Sequence, residues 1–213
     1  MVEIIPAILP KTFAELEEKL ALLAGAASLV QVDLVGSNIL AGVEAPPLWE
    51  EFDFEFDIML QEPAREIEAC IALGASRIVI HAAAQGAKEA LLGLQDLRGG
   101  SFPTEVGVAL RAHDTLDALV PFENLYDYVQ VMGIDHEGKQ GEPPDPHHKE
   151  ISLIKNLRAA YPELIIQVDG AVAEHPQELA QAGANRLVVG AAIINAHNPK
   201  KAIEALYNQA NVE

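Results

Sequence analysis

The chain has 213 residues, half of them hydrophobic, and a formal charge of −18 from 32 acidic against 14 basic side chains. That length fits one domain with one core, and the acidic excess disfavours nucleic acid and anionic membranes as partners, because phosphate backbones are neutralised by clustered Lys and Arg. No run of about 18 apolar residues offers a membrane span, residues 1–6 lack a basic leader region, and the single cysteine, Cys70, excludes an intramolecular disulfide; the expected location is cytoplasmic.

Val- and Ile-rich apolar runs predict strands at residues 3–9, 29–35, 54–60, 77–81, 105–110, 128–132, 164–169 and 186–190. Several are almost continuously apolar, as strands covered on both faces must be. Helical spacing follows at 11–23 (Phe13, Leu16, Leu20, Leu23), then at 62–73, 86–94, 115–119, 149–160, 176–182 and 200–207, with Gly74 and Gly183 placed as C-terminal stops. Cys70 falls among Ile67 and Ile71 and reads as a small buried hydrophobe. Each strand is followed by a helix or a helix-sized gap. The expected fold is therefore α/β, a single (β/α)8 TIM barrel over residues 1–213. The long gaps at 36–47 and 133–146 fall on the side where barrel enzymes carry their functional loops.

Two strands end in a carboxylate, Gln31-Val32-Asp33 and Val168-Asp169-Gly170. Gln31 and Asp33 are two apart and share a strand face. Asp57 ends the neighbouring third strand. In an eight-stranded barrel Asp33 and Asp169 stand across the mouth from one another, with Gln31 and Asp57 beside one of them. Opposed carboxylates suit inversion of a carbon next to a carbonyl: one removes a proton from one face and the other returns one to the opposite face. Burial and like-charged neighbours raise carboxyl pKa values toward that task. Gly170-Ala171 and Gly190-Ala191 follow the last two strands, where small residues let a phosphate reach backbone N–H groups. His147-His148 reads as a solvated helix start; His113, His175 and His197 read as loop or cap residues; His81 is open between a satisfied barrel histidine and a substrate contact.

Block by block, the chain resembles the ribulose-phosphate 3-epimerase family over nearly its whole length. Ile5-Pro6-Ala7-Ile8-Leu9-Pro10 resembles that family's Ala-Pro-Ser-Ile-Leu-Ser, Gln31-Val32-Asp33 its His-Ile-Asp, and Asp57-Ile58-Met59 its His-Leu-Met, with Glu62-Pro63 at the family spacing. Ile80-His81, Val108-Ala109-Leu110 and Val131-Met132 resemble the blocks of strands 4, 5 and 6. Val168-Asp169-Gly170-Ala171-Val172 resembles Val-Asp-Gly-Gly-Val, and Val189-Gly190-Ala191-Ala192-Ile193 resembles Ala-Gly-Ser-Ala-Ile; these two carry the most specific part.

The resemblance implies epimerisation of a ketose phosphate, of the ribulose 5-phosphate to xylulose 5-phosphate type, with Asp33 and Asp169 as acid and base. It also implies a substrate site at Ala7, Met59, His81, Met132, Gly138, Gly141, Gly170, Ala171, Gly190 and Ala191, a phosphorylated sugar as partner, and a homo-oligomer. The family's metal ligands map onto Gln31, Asp33, Asp57 and Asp169. Two histidines have become Gln31 and Asp57, so the set is all oxygen, favouring Mg²⁺, Mn²⁺ or Ca²⁺ over Zn²⁺. A substrate serine has become Ala7, Val35 replaces a family methionine, and residues 135–141 match the family's phosphate loop poorly. Two rivals follow from these departures: a non-catalytic sugar-phosphate-binding barrel, and an isomerase or aldolase-like enzyme of another phosphosugar. Asp57 to Glu62 has the spacing of the Asp-x-Lys-x-x-Asp motif of hexulose-phosphate synthases, but Met59 occupies the lysine position.

Overall fold

The computed structural model describes residues 1–37, 39–40, 49–98, 104–134 and 147–212. Its strands are β1 (Glu3–Ile8), β2 (Leu29–Leu34), β3 (Asp53–Ile58), β4 (Ala75–His81), β5 (Glu105–Arg111), β6 (Tyr128–Met132), β7 (Ile165–Asp169) and β8 (Arg186–Val189). They close into a parallel barrel in chain order, with β1 paired to β8 through Glu3 opposite Arg186. The helices are α1 (Phe13–Leu23), α2 (Ala64–Ala72), α3 (Ala87–Arg98), α4 (Lys149–Ala160), α5 (Pro176–Ala182), α6 (Ala191–Ile194) and α7 (Pro199–Ala210). The expected (β/α)8 barrel is the observed fold.

The pleat explains why these sequences make these strands. In β2, Val30, Val32 and Leu34 point outward into the main hydrophobic core, while Gln31 and Asp33 are buried on the other face, inside the barrel. Helices α1 and α7 begin where Thr12 and Asn198 accept hydrogen bonds from the backbone N–H of Glu15 and Lys201. Gly74 and Gly183 take positive φ values of 83° and 119° at the stops expected of them. Cys70 is fully buried, and burial pushes its thiol pKa up, away from reactivity.

Three differences from the sequence reading have local causes. The helix expected at residues 115–119 is instead a 3-10 turn, Leu116–Phe122, with Thr115 before it in extended backbone, since Pro121 lacks the N–H that an α-turn needs. Strand β4 starts at Ala75, because Ala75 pairs with Phe54 before a register shift. Helix α6 was not expected; its four residues are too few to show a period. Among the described residues, no helix is long and apolar enough to cross a membrane.

Candidate active site

The C-terminal ends of the strands carry a cluster of buried acids. Asp33, Asp57 and Asp169 sit at the ends of β2, β3 and β7, and all three are at most 8% exposed. One carboxylate oxygen from each lies within 4.8 Å of the others. In register, Asp33 stands directly beside Asp57, while Asp169 reaches the cluster from β7, across the barrel.

Gln31 holds the cluster together. Its Nε2 donates to Asp33 Oδ1 at 2.8 Å and to Asp169 Oδ2 at 3.1 Å. Its Oε1 accepts from Gln167 Nε2 at 3.3 Å. In this orientation Gln31 presents its amide nitrogen to the carboxylates, and its oxygen would face them as the expected metal ligand only after the amide turns over. Asp57 is held separately. Gln130 Nε2 donates to its Oδ2 at 2.7 Å, and His81 Nε2 lies 2.9 Å from its Oδ1. His81 is buried beside Asp57.

Among the described residues, the charge here is poorly compensated. Burial, then repulsion from Asp169 and Asp57, pushes the Asp33 carboxyl well above its ordinary value, against the Gln31 hydrogen bond. Burial and the Asp57 charge push Asp169 up to about 7. The structure holds a proton on this group of acids more tightly than water would, which is what a carboxyl needs to act as an acid near neutral pH.

A cavity of about 200 Å³ opens above the cluster. Asp33 and Asp169 both line it, as do Ala7, Met59, Met132, Gly170, Ala171, Gly190 and Ala191 from the expected set. His81, Gln31 and Asp57 are not part of its lining. Gly138 and Gly141 lie outside the described residues. The sequence reading missed Ile134, Val188 and Glu174 in the wall, together with Gln130 and Gln167 beneath the floor. A period-2 signal was present for the glutamines. Gln167-Val168-Asp169 repeats Gln31-Val32-Asp33, and Gln130 sits two before Met132.

The glycines at one end of the cavity fix the approach of two loops. A side chain on Gly133 would meet the Gly170 carbonyl oxygen at 2.2 Å, and one on Gly170, at φ 95°, would meet Ile134 at 2.8 Å. The β6 and β7 loops therefore close on each other only with both glycines present. Next to them, α6 starts at Ala191, whose first N–H groups have no carbonyl in their own helix. Glu174 lines the same end and adds negative charge there.

Three carboxylates with converging oxygens fit a hard dication such as Mg²⁺, Mn²⁺ or Ca²⁺. Without a cation, burial and then the neighbouring charges favour a proton on Asp33 and Asp169.

Comparisons with known proteins agree with this geometry. The model of the Ribulose-phosphate 3 epimerase family matches residues 3–194. Ribulose-phosphate 3-epimerase of Schizosaccharomyces pombe is 28% identical over 218 residues, covering 97% of this chain and 92% of that protein. The enzyme of the same name from Bacillus subtilis is 27% identical over 220 residues, covering 97% and 98%. Among solved structures, KGPDC from Streptococcus mutans superposes with a TM-score of 0.70 at 14% identity, over 99% of this chain and 97% of that one. 3-Hexulose-6-phosphate synthase from Salmonella typhimurium gives 0.67 at 16% identity, over 98% of each. These structural likenesses speak for the barrel alone, whereas the sequence match runs through every strand that carries the acid cluster: the chain belongs to the ribulose-phosphate 3-epimerase family.

Proposed function

We propose that this barrel epimerises a ketose phosphate at the carbon next to its carbonyl, converting ribulose 5-phosphate and xylulose 5-phosphate into one another. The observation that carries the reading is the pairing of Asp33 and Asp169. They arrive from strands on different sides of the barrel, line one cavity, and are bridged by one amide. In this reading the phosphate of the sugar sits at the end of the cavity lined by Gly170, Ala171, Gly190 and Ala191, where small residues let it approach the backbone.

In this mechanism one aspartate enters ionised and the other protonated. The ionised carboxylate takes the proton from C3, and electrons move into the carbonyl to give an enediolate. The protonated carboxyl then delivers its proton to the opposite face of C3. One turnover thus leaves the two aspartates with exchanged protonation states, and a proton must return through solvent before the next turnover in the same direction. Gln31 suits such an exchange, because its Nε2 binds both carboxylates and can favour whichever is ionised. A dication held by Asp33, Asp57 and Asp169, when bound, supplies positive charge that offsets an enediolate. Met59, Met132 and Ile134 exclude water from the reacting carbon.

Incubation of the protein with ribulose 5-phosphate in D₂O, with Mg²⁺ or Mn²⁺ present, tests the reading by NMR. The expected outcome is deuterium at C3 together with accumulating xylulose 5-phosphate. Silence with every divalent metal and with a panel of ketose phosphates, alongside measurable sugar-phosphate binding, leaves the non-catalytic binding barrel. That second reading is favoured by one feature, Gln31 and Asp57 at the positions of the family's two histidines.

A further inference from the structure

We propose that His148, Glu150 and His175 form a second metal site, for a borderline transition dication of the Zn²⁺ or Co²⁺ type, outside the barrel mouth. His148 and Glu150 stand at the start of α4, and His175 ends the 3-10 turn Val172–Glu174 and opens α5. None of the three lines the cavity or belongs to the Asp33, Asp57 and Asp169 cluster. The site does not depend on the epimerase reading.

The geometry is that of a ligand set. His148 Nδ1 lies 3.2 Å and His175 Nε2 lies 3.1 Å from the same oxygen, Glu150 Oε1. All three atoms fall within 4.8 Å of one another. Ligands about 2.0–2.1 Å from a tetrahedral ion are about 3.4 Å apart, so a small inward turn of one ring completes the triangle. His148 is the ring free to turn, since its side chain is 44% exposed, against 8% for His175 and 1% for Glu150. The same exposure gives an ion its entry path and leaves room for a water as fourth ligand. Two imidazoles and one carboxylate select Zn²⁺, Co²⁺ or Ni²⁺ over Mg²⁺ and Ca²⁺, which prefer oxygen throughout.

A helix start explains an acid at position 150, because carboxylates are favoured near that end of the helix dipole. It does not explain two imidazoles aimed at one oxygen of it. Nor does it explain Glu150 Oε2, which is buried without a hydrogen-bond partner among the described residues. A carboxylate desolvated in this way is costly unless positive charge offsets it. His148 also holds a left-handed backbone at φ 46°, uncommon for a residue with a side chain, and this places its ring against His175 at 5.0 Å between centroids. Without metal each ring nitrogen must carry a hydrogen to bind Glu150. Metal capture moves that hydrogen to the other ring nitrogen or releases it. An ion here pins the start of α4 to the turn that carries Ala173 and Glu174 of the cavity wall.

The test is titration of the EDTA-treated full chain with Co²⁺, read by its visible absorption, in an Asp33→Asn/Asp169→Asn background that disables the barrel-mouth acids. One equivalent of low-coordinate cobalt is expected, displaced by Zn²⁺. His148→Ala, a half-exposed position where the fold survives, and His175→Asn should each weaken uptake by at least about tenfold, the scale on which even outer ligand partners act. Zn²⁺ should also raise the melting temperature of the parent by more than that of His148→Ala, as linkage requires. Cobalt uptake undiminished in both histidine variants, or none at millimolar cobalt and zinc, overturns the site.

Discussion

The two ends of the barrel bury charge in opposite ways. At the N-terminal end, Arg77 and Arg186 sit among Glu3, Glu55 and Glu105. Arg186 reaches Glu105 at 2.9 Å and Glu3 at 3.5 Å, Arg77 lies 3.8 Å from Glu55, and Arg186 stacks 5.0 Å over the ring of Tyr128. At the C-terminal end, three aspartates meet, held by His81 and by the amides of Gln31 and Gln130. Between the ends lies a layer of buried glutamines, in which Gln167 Nε2 contacts Gln31, Gln130 and Glu55. Among the described residues, arginines offset the acids at the N-terminal end, whereas amides and His81 face them at the end where the proposed mechanism moves protons. That difference matches the division of labour in barrels of this kind, with stability at one face and chemistry at the other.

The sharpest way to break this contrast is to neutralise one acid at each end. Asp33→Asn or Asp169→Asn should lower epimerisation by about 10²–10⁴-fold, the usual contribution of a positioned acid or base. Deuterium exchange can persist in one of the two, because a single base lifts and returns a proton on its own face. Far-UV dichroism should show the fold intact and the melting temperature unlowered, since a repulsive charge is gone. Epimerase activity unchanged in both variants would remove these aspartates from the mechanism. At the other end, Arg77→Met should leave activity per folded molecule unchanged and cost about 3 kcal/mol of stability by urea unfolding. That is the low end for a broken buried pair, because Glu3 and Glu105 are half-exposed and Glu55 can escape by taking a proton. A change below about 0.5 kcal/mol, the size of a neutral surface substitution, would mean the arginines do not support this end.

The fold was legible because parallel barrel strands buried on both faces leave continuous apolar runs, and all eight were found to within two residues at either end. Asp33 and Asp169 were legible for the same reason: a carboxylate closing such a run has few places to go. The polar interior was not. Only closure of the sheet brings Glu55 of β3 within hydrogen-bonding distance of Tyr128 on β6 and Gln167 on β7. His175 illustrates the limit. Alone it reads as a cap, and it lies 25 residues from its partner Glu150, so no local spacing announces the pair.

The smallest effect expected is also the one that compares both ends in a single measurement. Asp169 and Glu55 are each pushed up to about 7, Asp169 by burial and Asp57, and Glu55 by burial against the pull of Arg77. In the unfolded chain such groups titrate near pH 4. Between about pH 4 and 7 the folded protein therefore holds protons that the unfolded chain has lost, and raising the pH favours unfolding. The stabilisation is complete below about pH 4, is lost as pH rises through about 7, and changes no further above that. Asp33 acts in the same direction. Asp114 and Glu150 have the opposite sign, since burial is outweighed by hydrogen bonds from Arg111 and from His175, but they act below the ordinary carboxylate range. Melting temperatures in EDTA should accordingly fall between pH 5 and pH 8, each kcal/mol amounting to about 2–4 °C in a chain of this size. Asp169→Asn and Glu55→Gln should each flatten the slope. Mg²⁺ should flatten only the Asp169 share, by pairing with the ionised acids at the mouth while leaving Glu55 untouched. A melting temperature that rises across this window in EDTA, or a slope indifferent to both substitutions, would show that the buried acids are not protonated in the folded protein, and with that the acid needed for proton return at the mouth would be gone.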